Sequence, residues 1–80
     1  MKGNSISEDE LLEALSELEH KQWEHWSRIV AKRKGFEKEV AHWKSEWVPY
    51  KELTEAQKEM DRIWARKVIS LLKRRRILNR

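Results

Sequence analysis

The sequence predicts an all-α fold, a small three-helix domain in which two long helices pack together with a short one between them. Three observations predict it. Apolar residues recur at the 3.6-residue period of a helix in three separate stretches. Capping-box residues stand at the start of both long stretches. Gly35 and Pro49, which disfavour a continuing helix, fall between the stretches.

Ser7-Glu8-Asp9-Glu10 has the form of a capping box, in which Ser7 accepts from the amide three residues on and Glu10 reaches back. Leu11, Leu12, Leu15, Leu18, Trp23, Trp26, Ile29 and Val30 then follow at helical spacing. The basic run Lys32-Arg33-Lys34 suits the negative end of a helix and Gly35 suits its stop, so the first helix is expected over 8–34. At about 1.5 Å per residue such a helix is about 40 Å long, more than a compact domain of this size spans, so its first turns should project or pack on a partner.

Phe36, Val40, Trp43 and Trp47 are spaced by four, three and four residues, which predicts a short helix over 37–46. Pro49 disfavours helical geometry at Val48 and sets up a turn through Tyr50. Thr54-Glu55-Ala56-Gln57 is a second capping box and opens a helix over 55–74, with Ala56, Met60, Ile63, Trp64, Val68, Leu71 and Leu72 along its apolar side. Trp26, Leu15, Leu18, Met60, Trp64 and Leu71 occupy the centres of the two long stripes and are the expected core. Residues 1–6 are expected to be disordered, 7–72 to form the domain and 73–80 to trail as a basic tail.

Composition narrows the function classes. The chain is short enough for one domain and a small core, and its five tryptophans, worth about 150–250 Å² of burial each, make that core affordable. Without cysteine there are no disulfides and no thiolate metal sites. His20, His25 and His42 share no ligand spacing, so no metal or cofactor is expected. No apolar run approaches the ~20 residues of a membrane span, and Met1-Lys2-Gly3-Asn4 lacks the apolar stretch of a signal peptide. A soluble, cytoplasmic protein is therefore expected. The net charge of +4 is unevenly placed: residues 66–80 carry seven bases and no acid, leaving 11 basic against 14 acidic side chains before them.

Glu19-His20 with Trp23 in the first helix, then Trp47-Val48-Pro49-Tyr50-Lys51-Glu52-Leu53-Thr54, then Lys58, Asp61, Arg62 and Ala65, resemble the ryanodine-receptor-type repeat domain. That family reads Glu-His-x-x-Trp, then Val-Pro-Tyr-x-x-Leu, then Lys-x-x-Asp-Arg, and is known from ion-channel repeats and from stand-alone microbial and phage proteins. The resemblance covers about residues 11–72 and is most specific in its second half. Where the family carries a Gly-Trp-x-Tyr-Gly and Lys-x-x-x-x-His-Pro linker, this chain has Phe36 to Glu46. The resemblance implies a non-enzymatic binding module with Glu19, His20, Trp23, Tyr50, Asp61 and Arg62 as the ligand-binding set. If these line one pocket, carboxylates, a guanidinium and aromatic faces would suit a nucleotide-like ligand, by stacking and phosphate pairing. The alternative occupant is a protein partner at the tryptophan-rich face, a homodimer being one possibility.

The residues themselves fit a binding role better than catalysis, since no nucleophile stands beside a base and no glycine-rich phosphate loop is present. Around the first helix Glu19 falls inside the apolar arc, which predicts a mostly buried carboxylate bonded to the third helix or to the Val48-Pro49-Tyr50 turn, either as a structural bond or as a ligand-holding group. His20 falls at the arc's edge, as a packed ring or a functional one. Asp61 flanks the stripe of the third helix, Arg62 turns outward and Lys67 sits near the stripe's centre, so a Glu19–Lys67 or Asp61–backbone contact should register the long helices. Trp43 and Trp47 with Trp23, Trp26 and Tyr50 are expected to form an aromatic wall, in the core or partly at a binding surface. Lys73, Arg74, Arg75 and Arg76 are either a solvated helix end or a nucleic-acid contact, the second functional reading being an accessory protein that acts through this segment.

Overall fold

A computed structural model describes residues 6–76. Residues 1–5 of the expected disordered start and residues 77–80 of the basic tail lie outside the described residues. The fold is all-α: α1 spans Glu8–Val30, α2 spans Glu37–Trp43 and α3 spans Glu55–Arg74, with 3-10 turns at Lys44–Glu46 and Tyr50–Glu52 between α2 and α3. No strand is present among the described residues.

Both capping boxes form. Ser7 Oγ accepts from the Glu10 amide while the Glu10 carboxylate accepts from the Ser7 amide, and Thr54 and Gln57 repeat the exchange at the start of α3. These bonds satisfy amides that have no partner within the helix. The expected end of the first helix is corrected from residue 34 to Val30. The Lys32 and Arg33 amides bond to Ile29 and Val30 at the tighter three-residue spacing, which ends the helix before its cationic run. Gly35, at φ +95°, then turns the chain into α2.

α1 and α3 lie antiparallel, as the contacts of Glu8 with Lys73, Glu13 with Arg62 and His20 with Asp61 require. They meet through a small and polar edge. Ser16 and Ala65 are fully buried where the helices approach, with His20, Val30 and Ile69 buried beside them. Ser16 satisfies its hydroxyl on the Leu12 carbonyl at 2.7 Å, and Ser27 accepts from the Trp47 indole at 2.9 Å. Tyr50 and Leu53 of the intervening turn complete the buried set.

The expected core is therefore corrected. Leu18 is 61% exposed, Trp26 51%, Met60 67%, Trp64 60% and Leu71 44%, and Leu15 is only half-buried. At 100° per residue, the edge that α1 buries (Ser16, His20, Ser27) lies somewhat more than a quarter-turn from the middle of its apolar arc, and the edge that α3 buries (Ala65, Ile69) lies about 140° from Met60, Trp64 and Leu71. Small side chains let the two helices approach closely there. The apolar stripes consequently turn to one common face instead of against each other.

Candidate functional site

An open groove of about 740 Å³ lies on that common face. α1 contributes Glu19, His20, Trp23 and Trp26, α3 contributes Gln57, Met60, Asp61 and Trp64, and Glu46 closes it from the turn after α2. Trp43 braces one end, edge-on to Trp23 with ring centres 6.1 Å apart and tilted against Trp26 at 5.8 Å. Such edge and tilted arrangements suit the aromatic quadrupoles.

At the bottom of the groove His20 joins three elements. The Val48 carbonyl lies 2.7 Å from His20 Nε2 and can only accept, so Nε2 carries the proton. His20 Nδ1 faces Asp61 Oδ2 at 3.8 Å, and the ring stacks on Trp23 at 5.9 Å. Burial pushes the Asp61 carboxyl above the usual aspartate range; the His20 ring opposes this, and the carboxylates of Glu19 and Glu46 add to it. The groove is thus aromatic and acidic. Among the described residues, no lysine or arginine lines it.

The structure brings Glu19, His20, Trp23 and Asp61 together and leaves Tyr50 and Arg62 out. Tyr50 donates to Glu13 Oε1 at 2.8 Å, and Arg62 reaches the same carboxylate at 2.8 and 3.3 Å and Glu55 at 3.0 Å, on the side of the helices away from the groove. Arg62 holds the Glu13 carboxyl below its usual range, and burial pushes the Tyr50 hydroxyl up. The guanidinium in a nucleotide-like pocket is therefore committed elsewhere.

Three further expectations are corrected. Glu19 is half-buried and, among the described residues, makes no bond to α3 or to the turn; the neighbouring His20 makes that bond, because it and not Glu19 falls on the edge facing α3. Lys67 lies over the Trp64 ring at 5.1 Å instead of meeting Glu19, and Asp61 meets His20 instead of backbone. The aromatic wall divides, with Trp47 bonded to Ser27 under the Arg28 guanidinium, 4.6 Å from its ring centre, and Tyr50 joined to Glu13.

Glu46, Met60 and Trp64 are not among the expected site residues, and Trp26 is expected only in the core or the aromatic wall. The stripe positions of Trp26, Met60 and Trp64 are legible in the sequence, but the direction of the stripes is not. In the basic segment, Lys73 and Arg74 are the last residues of α3, and Lys73 pairs with Glu8 at 2.7 Å. Arg66, Lys67, Ser70 and Arg74 border a shallow depression in which Arg66 is already paired with Glu59. No group of side chains fit to hold a metal occurs among the described residues, and no helix there is long and apolar enough to cross a membrane. Comparison of the chain with family models, with curated proteins and with solved structures finds no match.

Proposed function

We propose that the chain is a non-enzymatic binding module, of the ryanodine-receptor repeat type, whose tryptophan-lined α1–α3 face takes a protein partner. The observation that carries this reading is the exposure of Trp26, Met60 and Trp64 around one groove. Large apolar side chains gathered in one exposed patch mark interaction surfaces more often than solvent faces, and tryptophan is among the commonest anchors of protein contacts. A nucleotide-like ligand fits less well. Its phosphates would meet the carboxylates of Glu19, Glu46 and Asp61, with Arg62 held by Glu13 and Glu55. Catalysis is disfavoured as well, because His20 is buried and spends its proton on the Val48 carbonyl.

Photo-crosslinking in cells tests the reading. A crosslinking residue at position 64 is expected to trap a discrete protein band that the same residue at the exposed position 52, outside the groove, does not. No trapped band at 64, together with a thermal stabilisation by ATP or another nucleotide, would return the site to the small-ligand reading.

A further inference from the structure

We propose that the partner on this face is a second copy of the chain, docked antiparallel so that two helical hairpins close into a four-helix bundle. The proposal rests on the protein-binding reading above and names its occupant.

The hairpin's shape argues for it first. Two antiparallel helices side by side, with both apolar stripes turned to one face, are half of a four-helix bundle. α2 and its Trp43 cover only the end near Trp23 and Trp26. Leu15, Val68 and Leu71 carry the same stripes on toward the other end.

Area argues the same way. α1 has 23 residues and is thus about 34 Å long; two helices about 10 Å wide give a face of about 700 Å². That is close to the roughly 800 Å² that each partner contributes to a standard interface.

Charge then selects the orientation. Glu19, Glu46 and Asp61 gather at one end of the face, where no lysine or arginine among the described residues lines the groove. Lys67, Arg74 and Arg75 stand toward the other end and, among the described residues, have no acidic partner. A two-fold axis lying in the interface and running along the helices would stack acids on acids. An axis running across them, near Trp64, stacks α3 on α3 in opposite directions and sets Lys67 of one copy at the level of Asp61 of the other. Arg74 and Arg75 then lie over the Trp26 and Glu46 end. Like charges brought together across an interface oppose association, so the crossing axis is the one that fits.

The absence of cysteine makes the geometry directly testable on the full chain. Sedimentation equilibrium is expected to show twice the 9.8 kDa chain mass, and Trp64→Glu to return the single-chain mass with helical circular dichroism retained. Should Trp64→Glu lose helix, Met60→Lys, at a still more exposed position, reads the same outcome. Chains carrying Gln57→Cys mixed with chains carrying Leu71→Cys are expected to form the mixed disulfide, while Gln57→Cys alone forms no dimer. A single-chain mass at every concentration overturns the proposal, as does a dimer that survives both variants. A Gln57→Cys homodimer in place of the mixed one overturns the orientation. If the protein is monomeric and position 64 crosslinks to a different protein, the second copy is refuted while the binding-module reading survives; if nothing is trapped there, both fall.

Discussion

On one face of the α1–α3 hairpin the Val48–Tyr50 turn closes over the helices, with His20 bonded to the Val48 carbonyl and Glu13 shared by Tyr50 and Arg62. On the opposite face Trp26, Met60 and Trp64 stand around an open groove. The same two helices build both, yet the polar side is the finished one. Side-chain hydrophobicity alone does not decide which face of a helix is buried; the closeness with which two backbones can approach decides it as well. Ser16 and Ala65 permit an approach that Leu18 and Trp64 do not.

The largest effect that sharpens this contrast comes from paired truncations. Tyr50→Ala removes a buried ring and is expected to cost about 3–5 kcal/mol in urea unfolding, whereas Trp64→Ala, measured at a dilution where the chain is monomeric, should cost less than about 1 kcal/mol because its ring is already solvated. Equal losses at the two positions would mean that the exposed face is covered within a single chain. Next in size, Ala65→Leu is expected to lose about 1–3 kcal/mol by overpacking the helix contact. A neutral result in the same titration would show that α1 and α3 do not meet through this edge.

The two faces should also answer pH with opposite signs. Asp61 has a folded pKa raised above 3.8 by burial, so the folded state keeps a proton that the unfolded chain releases first. Its stabilisation is complete below that value and is lost as pH rises through the folded one. Asp61→Asn is therefore expected to raise Tm at neutral pH and to remove this descending limb. Glu13 has a folded pKa lowered below 4.5 by Arg62, so its contribution is present above 4.5 and fades as pH falls. Arg62→Gln should abolish that acid-side loss and cost about 1 kcal/mol at neutral pH, since the Glu13 side of the pair is half-exposed. Thermal melts of the two variants between acid and neutral pH separate these slopes.

The smallest effect on folding concerns the basic end. Deleting Lys73 to Arg80 removes the exposed Lys73–Glu8 pair and is expected to leave the helical content of the body intact. It should also remove any salt-sensitive retention on DNA or RNA. Unfolding of the truncated chain would make this segment part of the structure, and an intact chain that shows no such retention would dismiss the nucleic-acid reading.

Local chemistry made much of the fold legible. Ser7 with Glu10 and Thr54 with Gln57 fixed both starts of the long helices, and Pro49 the turn before α3, because caps and prolines act over three or four residues. The same locality misled at Lys32 to Lys34, where favourable charge at a helix end was read as continued helix. Within the candidate site, the grouping of Glu19, His20, Trp23 and Asp61 was accessible from the sequence. The diversion of Tyr50 and Arg62 to Glu13 was not, since that bond joins residues 37 and 49 positions apart.

The sequence by itself determined three helices, where two of them begin, and two apolar stripes along the long ones. Helical period fixes which side chains share a stripe. Only the tertiary structure decided where the stripes point, because that depends on the rotation of each helix about its own axis, set by Ser16, His20, Ala65 and Ile69 at the contact and by the turn pinned through Val48. A rotation of each helix by between a quarter and two-fifths of a turn separates a chain that hides its tryptophans from one that presents them, and no local pattern specifies that rotation.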